Sequence, residues 1–116
     1  MPRFNILSGS TLIGYSELEF GDPPMGVAFG KFLPSPAYAT IQEAVIASNE
    51  GSQGHLCLSA QKVEGEVLLP ETGVRILDFS AELDPDEIEV SVVGIGYPLY
   101  GELFPEHVAA YYAQFP

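Results

Sequence analysis

Pro34-Ser35-Pro36-Ala37-Tyr38-Ala39-Thr40-Ile41-Gln42-Glu43-Ala44-Val45-Ile46-Ala47-Ser48 reads as a helix set between groups of strand-like segments. Ser35 offers a hydroxyl to cap a helix start, and Pro36 suits the first helical position, where no backbone N–H is needed. Tyr38, Ile41, Val45 and Ile46 recur at three- and four-residue spacing, which leaves Gln42 and Glu43 on the wet side. The spacing predicts a helix from Pro36 to about Ser48 whose apolar stripe lies on a sheet.

Towards the N-terminus, residues 3–8 and 11–20 predict two strands joined at Ser8-Gly9-Ser10, because Phe4, Ile6, Leu12, Ile13, Leu18 and Phe20 sit in short segments between turn residues. Gly21-Asp22-Pro23-Pro24 is expected to break the sheet, since two prolines remove two backbone donors. A third strand, Met25 to Leu33, follows. Beyond the helix, Asn49 to Gly54 reads as a connecting loop. A strand from His55 to Val63, a turn near Glu64-Gly65-Glu66, a short apolar segment Val67-Leu68-Leu69 and a strand from Val74 to about Leu83 come next. After the turn Asp84-Pro85-Asp86, Glu87 to Ile95 alternates: Ile88, Val90 and Val92 face one way, Glu87, Glu89 and Ser91 the other. Pro105 opens a second short helix in which Val108, Tyr111, Tyr112 and Phe115 share a face.

The expected architecture is α+β, an antiparallel sheet of about six strands with two short helices in the order βββα-βββα. An echo between the halves points to a weak internal duplication. It pairs Asp22-Pro23, a strand, Phe29-Gly30 and Pro34 before a helix with Asp84-Pro85, a strand, Tyr100-Gly101 and Pro105 before a helix.

The 116 residues fit a single domain, 1–116. With 47% hydrophobic residues and thirteen Phe and Tyr, the chain is no disordered acidic tail. Sixteen Asp and Glu against four Lys and Arg give a formal net charge of -12, a surface that repels nucleic acid and anionic membranes and favours a cationic partner. The one cysteine, Cys57, forms no internal disulfide, which fits a reducing compartment. Met1-Pro2-Arg3-Phe4 does not start a secretory signal, and no run approaches the roughly 20 apolar residues of a membrane helix. A cytoplasmic protein is expected.

From Glu64 to Glu89 there are nine carboxylates (Glu64, Glu66, Glu71, Asp78, Glu82, Asp84, Asp86, Glu87 and Glu89) against one cation, Arg75. Neighbouring strands would gather them on one region of the surface, where complementary charge speeds encounter with a basic protein. Read as a metal site, the cluster is weak: Pro85 and the strand pattern break the register of a calcium loop, and Glu87 and Glu89 supply only two ligands on one face. One Cys and two His are too few for zinc.

His55 and Cys57, two apart on the expected strand, would project from one face with Ser59 next along. At roughly 6 to 7 Å between α-carbons they are loosely placed for proton transfer, and a buried core cysteine is the plainer expectation. His107 has Glu102 and Glu106 close by in sequence as acid–base partners but no third member. Gly94-Ile95-Gly96 lacks the glycine and lysine of a phosphate loop and reads as a bulge or close approach. Pro23, Pro24, Met25, Phe29, Phe32, Tyr97, Pro98, Tyr100 and Phe104 either line an aromatic groove or build the core of a domain that has no Trp.

These readings converge on a small, acidic, non-enzymatic binding protein of the inhibitor or immunity type. It docks a basic partner through Glu82, Asp84, Asp86, Glu87 and Glu89, with no cofactor, metal or nucleic acid. Two alternatives remain at this level. One is a small hydrolase or isomerase using His55 or His107 with a carboxylate; the other is a structural module in which an uncovered strand edge pairs two copies.

Overall fold

Strands β1 (Phe4–Ser8) and β2 (Thr11–Ser16) form the expected antiparallel hairpin, with Ser8 opposite Thr11 and Gly9 at a φ of 60° in the two-residue turn. Glycine at the first central position gives the turn a twist that matches the flanking strands. The computed structural model describes residues 3–63, 73–81, 83, 87–96 and 98–114. The expected segment Val67-Leu68-Leu69 and the turns at Glu64-Gly65-Glu66 and Asp84-Pro85-Asp86 lie outside the described residues.

The fold is α+β, but among the described residues the strands form two four-stranded antiparallel sheets, not one. The first has the order β5-β2-β1-β6 and the second β3-β4-β8-β7. Their strands are β3 (Phe20–Asp22), β4 (Val27–Lys31), β5 (Leu33–Pro34), β6 (Leu58–Lys62), β7 (Val74–Asp78) and β8 (Ile88–Val92). Two local devices carry the chain between sheets. Leu18 is fully buried at a φ of 45°, and this left-handed kink separates β2 from β3. Phe32 crosses back: its N–H bonds the Ile88 carbonyl in the second sheet at 2.9 Å, while Leu33 and Pro34 pair with Tyr15 and Gly14 in the first.

Gly21-Asp22-Pro23-Pro24 does not break the sheet as expected. Gly21 and Asp22 end β3, and Pro23–Met25 forms a single 3-10 turn closing a hairpin to β4. The prolines fall where the ladder has already ended, so no donor is missed.

The helix expected over 36–48 is divided into a 3-10 turn, Pro36–Thr40, and a short helix α1, Gln42–Ala47. Ser35 makes no side-chain cap; its hydroxyl donates to the Leu12 carbonyl at 2.9 Å, tying the turn to β2. Tyr38 and Val45 are buried as the spacing required.

The expected strand from His55 starts three residues later, because Gly54–Leu56 is a 3-10 turn ending on Cys57 at a φ of 51°. β7 stops at Asp78, not Leu83. The Asp78 carboxylate accepts the Ser80 N–H at 2.9 Å, a local bond that turns the chain out of the strand.

At the C-terminal end two helices, α2 (Leu99–Leu103) and α3 (Pro105–Tyr112), replace the one expected. The inward residue of α3 is His107, with Val108 partly buried against the core. Tyr112 is 66% exposed, contrary to the expected face, and Phe115 lies outside the described residues. The proposed duplication fails on the same comparison: Phe29-Gly30 is strand, Tyr100-Gly101 is helix, and the second sheet mixes strands from both halves.

Inward residues of both sheets meet in one apolar core. Phe4, Ile6 and Ala60 come from the first sheet, Ile76, Val90 and Val92 from the second, and all six are fully buried. Each large aliphatic side chain buried in this way contributes about 1.5–3 kcal/mol. Phe104 closes the core between the Phe4 ring, 5.5 Å away, and the Tyr100 ring, 5.2 Å away. Phe32, Tyr100 and Phe104 are therefore core and do not line the aromatic groove.

Candidate functional site

The second sheet has an inner face in the core and an outer face towards solvent. Along β4, Ala28 and Gly30 are buried while Val27 and Phe29 are half-buried and Lys31 is exposed. β8 repeats the pattern with Glu89 and Ser91 outward, and β7 with Arg75 and Leu77. Register sets these side chains in rows across the sheet: Phe20 opposite Phe29, Phe29 opposite Ser91, Lys31 opposite Glu89, and Glu89 opposite Leu77.

An aromatic ridge stands on this face. The Phe20 and Phe29 rings stack at 5.6 Å with an interplanar angle of 27°, and Phe20 is 58% exposed. A groove runs along each side. The first, about 380 Å³, is lined by Phe20, Phe29, Lys31, Phe79, Glu87 and Glu89. The Phe79 N–H donates to the Glu87 carbonyl at 2.9 Å, which extends the β7–β8 ladder and fixes Glu87 at the groove mouth. The second groove, about 630 Å³, separates the ridge from α3 and is lined by Glu19, Asp22, Tyr111 and Gln114, with His107 among its walls. Exposed aromatic surface is thus bordered by carboxylates on both sides.

Of the five residues expected to bind a partner, Glu87 and Glu89 are exposed at the first groove. Glu82, Asp84 and Asp86 lie outside the described residues. Two of the chain's four cations are engaged elsewhere. The Arg75 guanidinium donates to the carbonyls of Gly51, at 2.7 Å, Ser48, at 3.2 Å, and Asn49. Arg3 sits 3.9 Å from the centroid of the Tyr15 ring.

Asp78, one of the nine carboxylates expected to gather on the surface, is buried and does not join them. Only 1% exposed, its carboxylate accepts the Tyr38 hydroxyl at 2.6 Å, the Gln42 amide at 3.2 Å, and the Ser80 hydroxyl and N–H at 2.5 and 2.9 Å. Burial alone would raise its pKa. Hydrogen bonds from Ser80, Tyr38 and Gln42 outweigh burial and hold the carboxyl below its ordinary value. Burial, followed by the bond to Asp78 and its charge, pushes the Tyr38 hydroxyl far up. Tyr38 therefore stays a donor and Asp78 an acceptor, a pairing that locks the 3-10 turn to the end of β7.

The residues expected to serve catalysis are not assembled as expected. His55 and Cys57 share no strand face; both are exposed around the Gly54–Leu56 turn, so Cys57 is not the buried residue foreseen. His107 is only 7% exposed, its ring stacked on Phe104 at 5.0 Å and 5°. Its Nε2 lies 2.7 Å from the Leu18 carbonyl. A carbonyl only accepts, so this nitrogen carries the proton. Glu102 and Glu106 point into solvent. His107 therefore holds the left-handed Leu18 from one side, while the Ser16 hydroxyl accepts the Leu18 N–H at 3.0 Å from the other.

Among the described residues no group of three or more His, Cys, Asp or Glu is placed to hold a metal ion, and no helix is long and apolar enough to cross a membrane. No family model, curated protein or solved structure matches the chain at a significant level.

Phe20, Lys31 and Phe79 line the first groove without any motif in the sequence that sets them apart. In sequence Phe20 ends a long strand, whereas the kink at Leu18 starts a new strand that turns the Phe20 ring onto the outer face. The available signal was alternation in Val27-Ala28-Phe29-Gly30-Lys31, where small residues mark the inner face and large ones the outer.

Proposed function

We propose that the chain is a small acidic binding protein, of the inhibitor or immunity type, that docks a basic partner protein on the outer face of its second sheet. The observation that carries this reading is the first groove, where the exposed Phe20, stacked on the half-buried Phe29, stands beside the carboxylates of Glu87 and Glu89. Aromatic side chains ordered by stacking contribute contact area at low entropic cost. Carboxylates around them attract Lys and Arg, whose alkyl stems lie along the rings while the charged heads reach the rim. A formal net charge of -12 adds long-range steering towards a cationic surface.

The immobilised chain is challenged with its native cell extract at low salt and then washed with increasing salt. A basic protein retained in stoichiometric amount, released by salt and lost from the Glu87→Lys/Glu89→Lys variant supports the reading. Equal retention by parent and variant, or recovery of no basic protein, overturns it.

A further inference from the structure

Among the described residues β7 is the outermost strand of the second sheet, with β8 on one side only. In an antiparallel pair alternate residues turn both backbone groups away from the partner, and on β7 these include Ile76 and Asp78. Such an edge invites another strand. Here it is occupied by two side-chain amides. Gln53 donates its Nε2–H to the Ile76 carbonyl at 2.7 Å and accepts the Ile76 N–H on Oε1 at 2.9 Å. Asn49 does the same at Asp78, donating Nδ2–H to the carbonyl at 2.8 Å and accepting the N–H on Oδ1 at 3.0 Å. A primary amide carries the donor and acceptor that a peptide unit would present, so the two side chains reproduce two rungs of a ladder. Arg75 on β7 bonds the carbonyls of Ser48, Asn49 and Gly51 and ties the loop bearing both amides to the strand it covers.

We propose that Asn49 and Gln53 stand in for an absent strand and hold β7 closed against pairing with a second copy of this chain. The second copy is the occupant to exclude because the edge is self-complementary. With Ile76 opposite Ile76 about a twofold axis, two β7 strands align Val74 with Asp78 and Arg75 with Leu77, and each position whose backbone faces away from β8 in one copy meets such a position of the other. Repulsion between two chains of formal charge -12 opposes that contact, but it weakens with salt, whereas the amide cap does not depend on ionic strength.

The test compares the full chain with its Asn49→Ala/Gln53→Ala variant at about 0.5 M salt, where the Debye length is only several ångströms. In dilute samples the Ile76 and Asp78 amides of the variant are expected to exchange with solvent roughly tenfold faster or more. As concentration rises, sedimentation should show an added association step absent from the parent, and protection at the two amides should return. Unchanged exchange at Ile76 and Asp78 would mean that the amides are not the cap. Fast exchange with no added association across a hundredfold concentration range would mean that the open edge does not pair. Either result overturns the proposal. Should the double variant fail to fold, Asn49→Asp and Gln53→Glu keep size and acceptor while losing the donor, and the same two readings decide.

Discussion

Replacing Tyr38 by Phe removes one hydroxyl from the interior and leaves its ring, 5.0 Å from Phe32, in place. The Asp78 carboxylate then loses its 2.6 Å donor but keeps those from Ser80 and Gln42. A hydrogen bond to a charged group is worth about 1.5–3 kcal/mol, and the remaining donors place this loss near the lower end, about 2 kcal/mol. For a domain of this size that lowers the melting temperature by roughly 6–10 °C. The pH dependence makes the reasoning specific. Asp78 has a folded pKa below its unfolded value, so its stabilisation is fully present above the unfolded pKa and is lost as pH falls through the folded one. The gap between parent and Tyr38→Phe should therefore be widest near neutrality and close as pH drops below about 4. Urea unfolding of both proteins between pH 7 and pH 2.5 measures it. A gap that is absent at neutrality, or that stays constant into the acid range, refutes the assignment of Asp78 as a charged acceptor.

Other outcomes follow from individual residues. Because the Tyr38 hydroxyl has a raised pKa, its stabilisation holds below the ordinary tyrosine value and is lost as pH climbs through the folded one; comparison of the parent with Tyr38→Phe by ultraviolet titration should show the Tyr38 phenol ionising only with alkaline unfolding. Cys57 holds a φ of 51° while exposed, so Cys57→Asn should stabilise by about 0.5 kcal/mol and Cys57→Val destabilise by about 1 kcal/mol in thermal melts. Gly26→Ala combines a φ of 65° with a Cβ 2.6 Å from the Ile95 carbonyl oxygen, and should cost more than about 2 kcal/mol in denaturant unfolding. His107→Ala removes the bond to Leu18 and leaves a void under Phe104; a loss of about 2–3 kcal/mol is expected, with fast hydrogen exchange appearing first between β2 and β3.

The α+β class was legible because β8 alternates cleanly and because Tyr38 and Val45 recur at helical spacing. The division into two sheets was not. It depends on Leu18 and Phe32, two apolar residues within the expected strands 11–20 and Met25 to Leu33, and hydrophobicity carries no mark of a chain crossing between layers. Positive φ at a leucine is stabilised by Ser16 and by His107, the latter 89 positions away, so local propensity pointed the other way. The acidic site was half legible. Alternation puts Glu87 and Glu89 outward, where they are exposed, whereas grouping the carboxylates by their closeness in sequence puts Asp78 on a surface it does not share. Its burial depends on donors from Tyr38, Gln42 and Ser80, which only the tertiary fold brings together. Cys57 shows the converse error: composition favours a buried cysteine, and the turn at Gly54–Leu56 exposes it.

The proposed docking face is tested most directly by following the backbone amides of the labelled chain by NMR while a basic protein captured from the extract is added. Perturbations should gather at Phe20, Phe29, Lys31, Phe79, Glu87 and Glu89, weaken between low and physiological salt, and be lost with Glu87→Lys/Glu89→Lys. Perturbations confined to the first sheet, or binding that is indifferent to both salt and charge reversal, would contradict a role for this face.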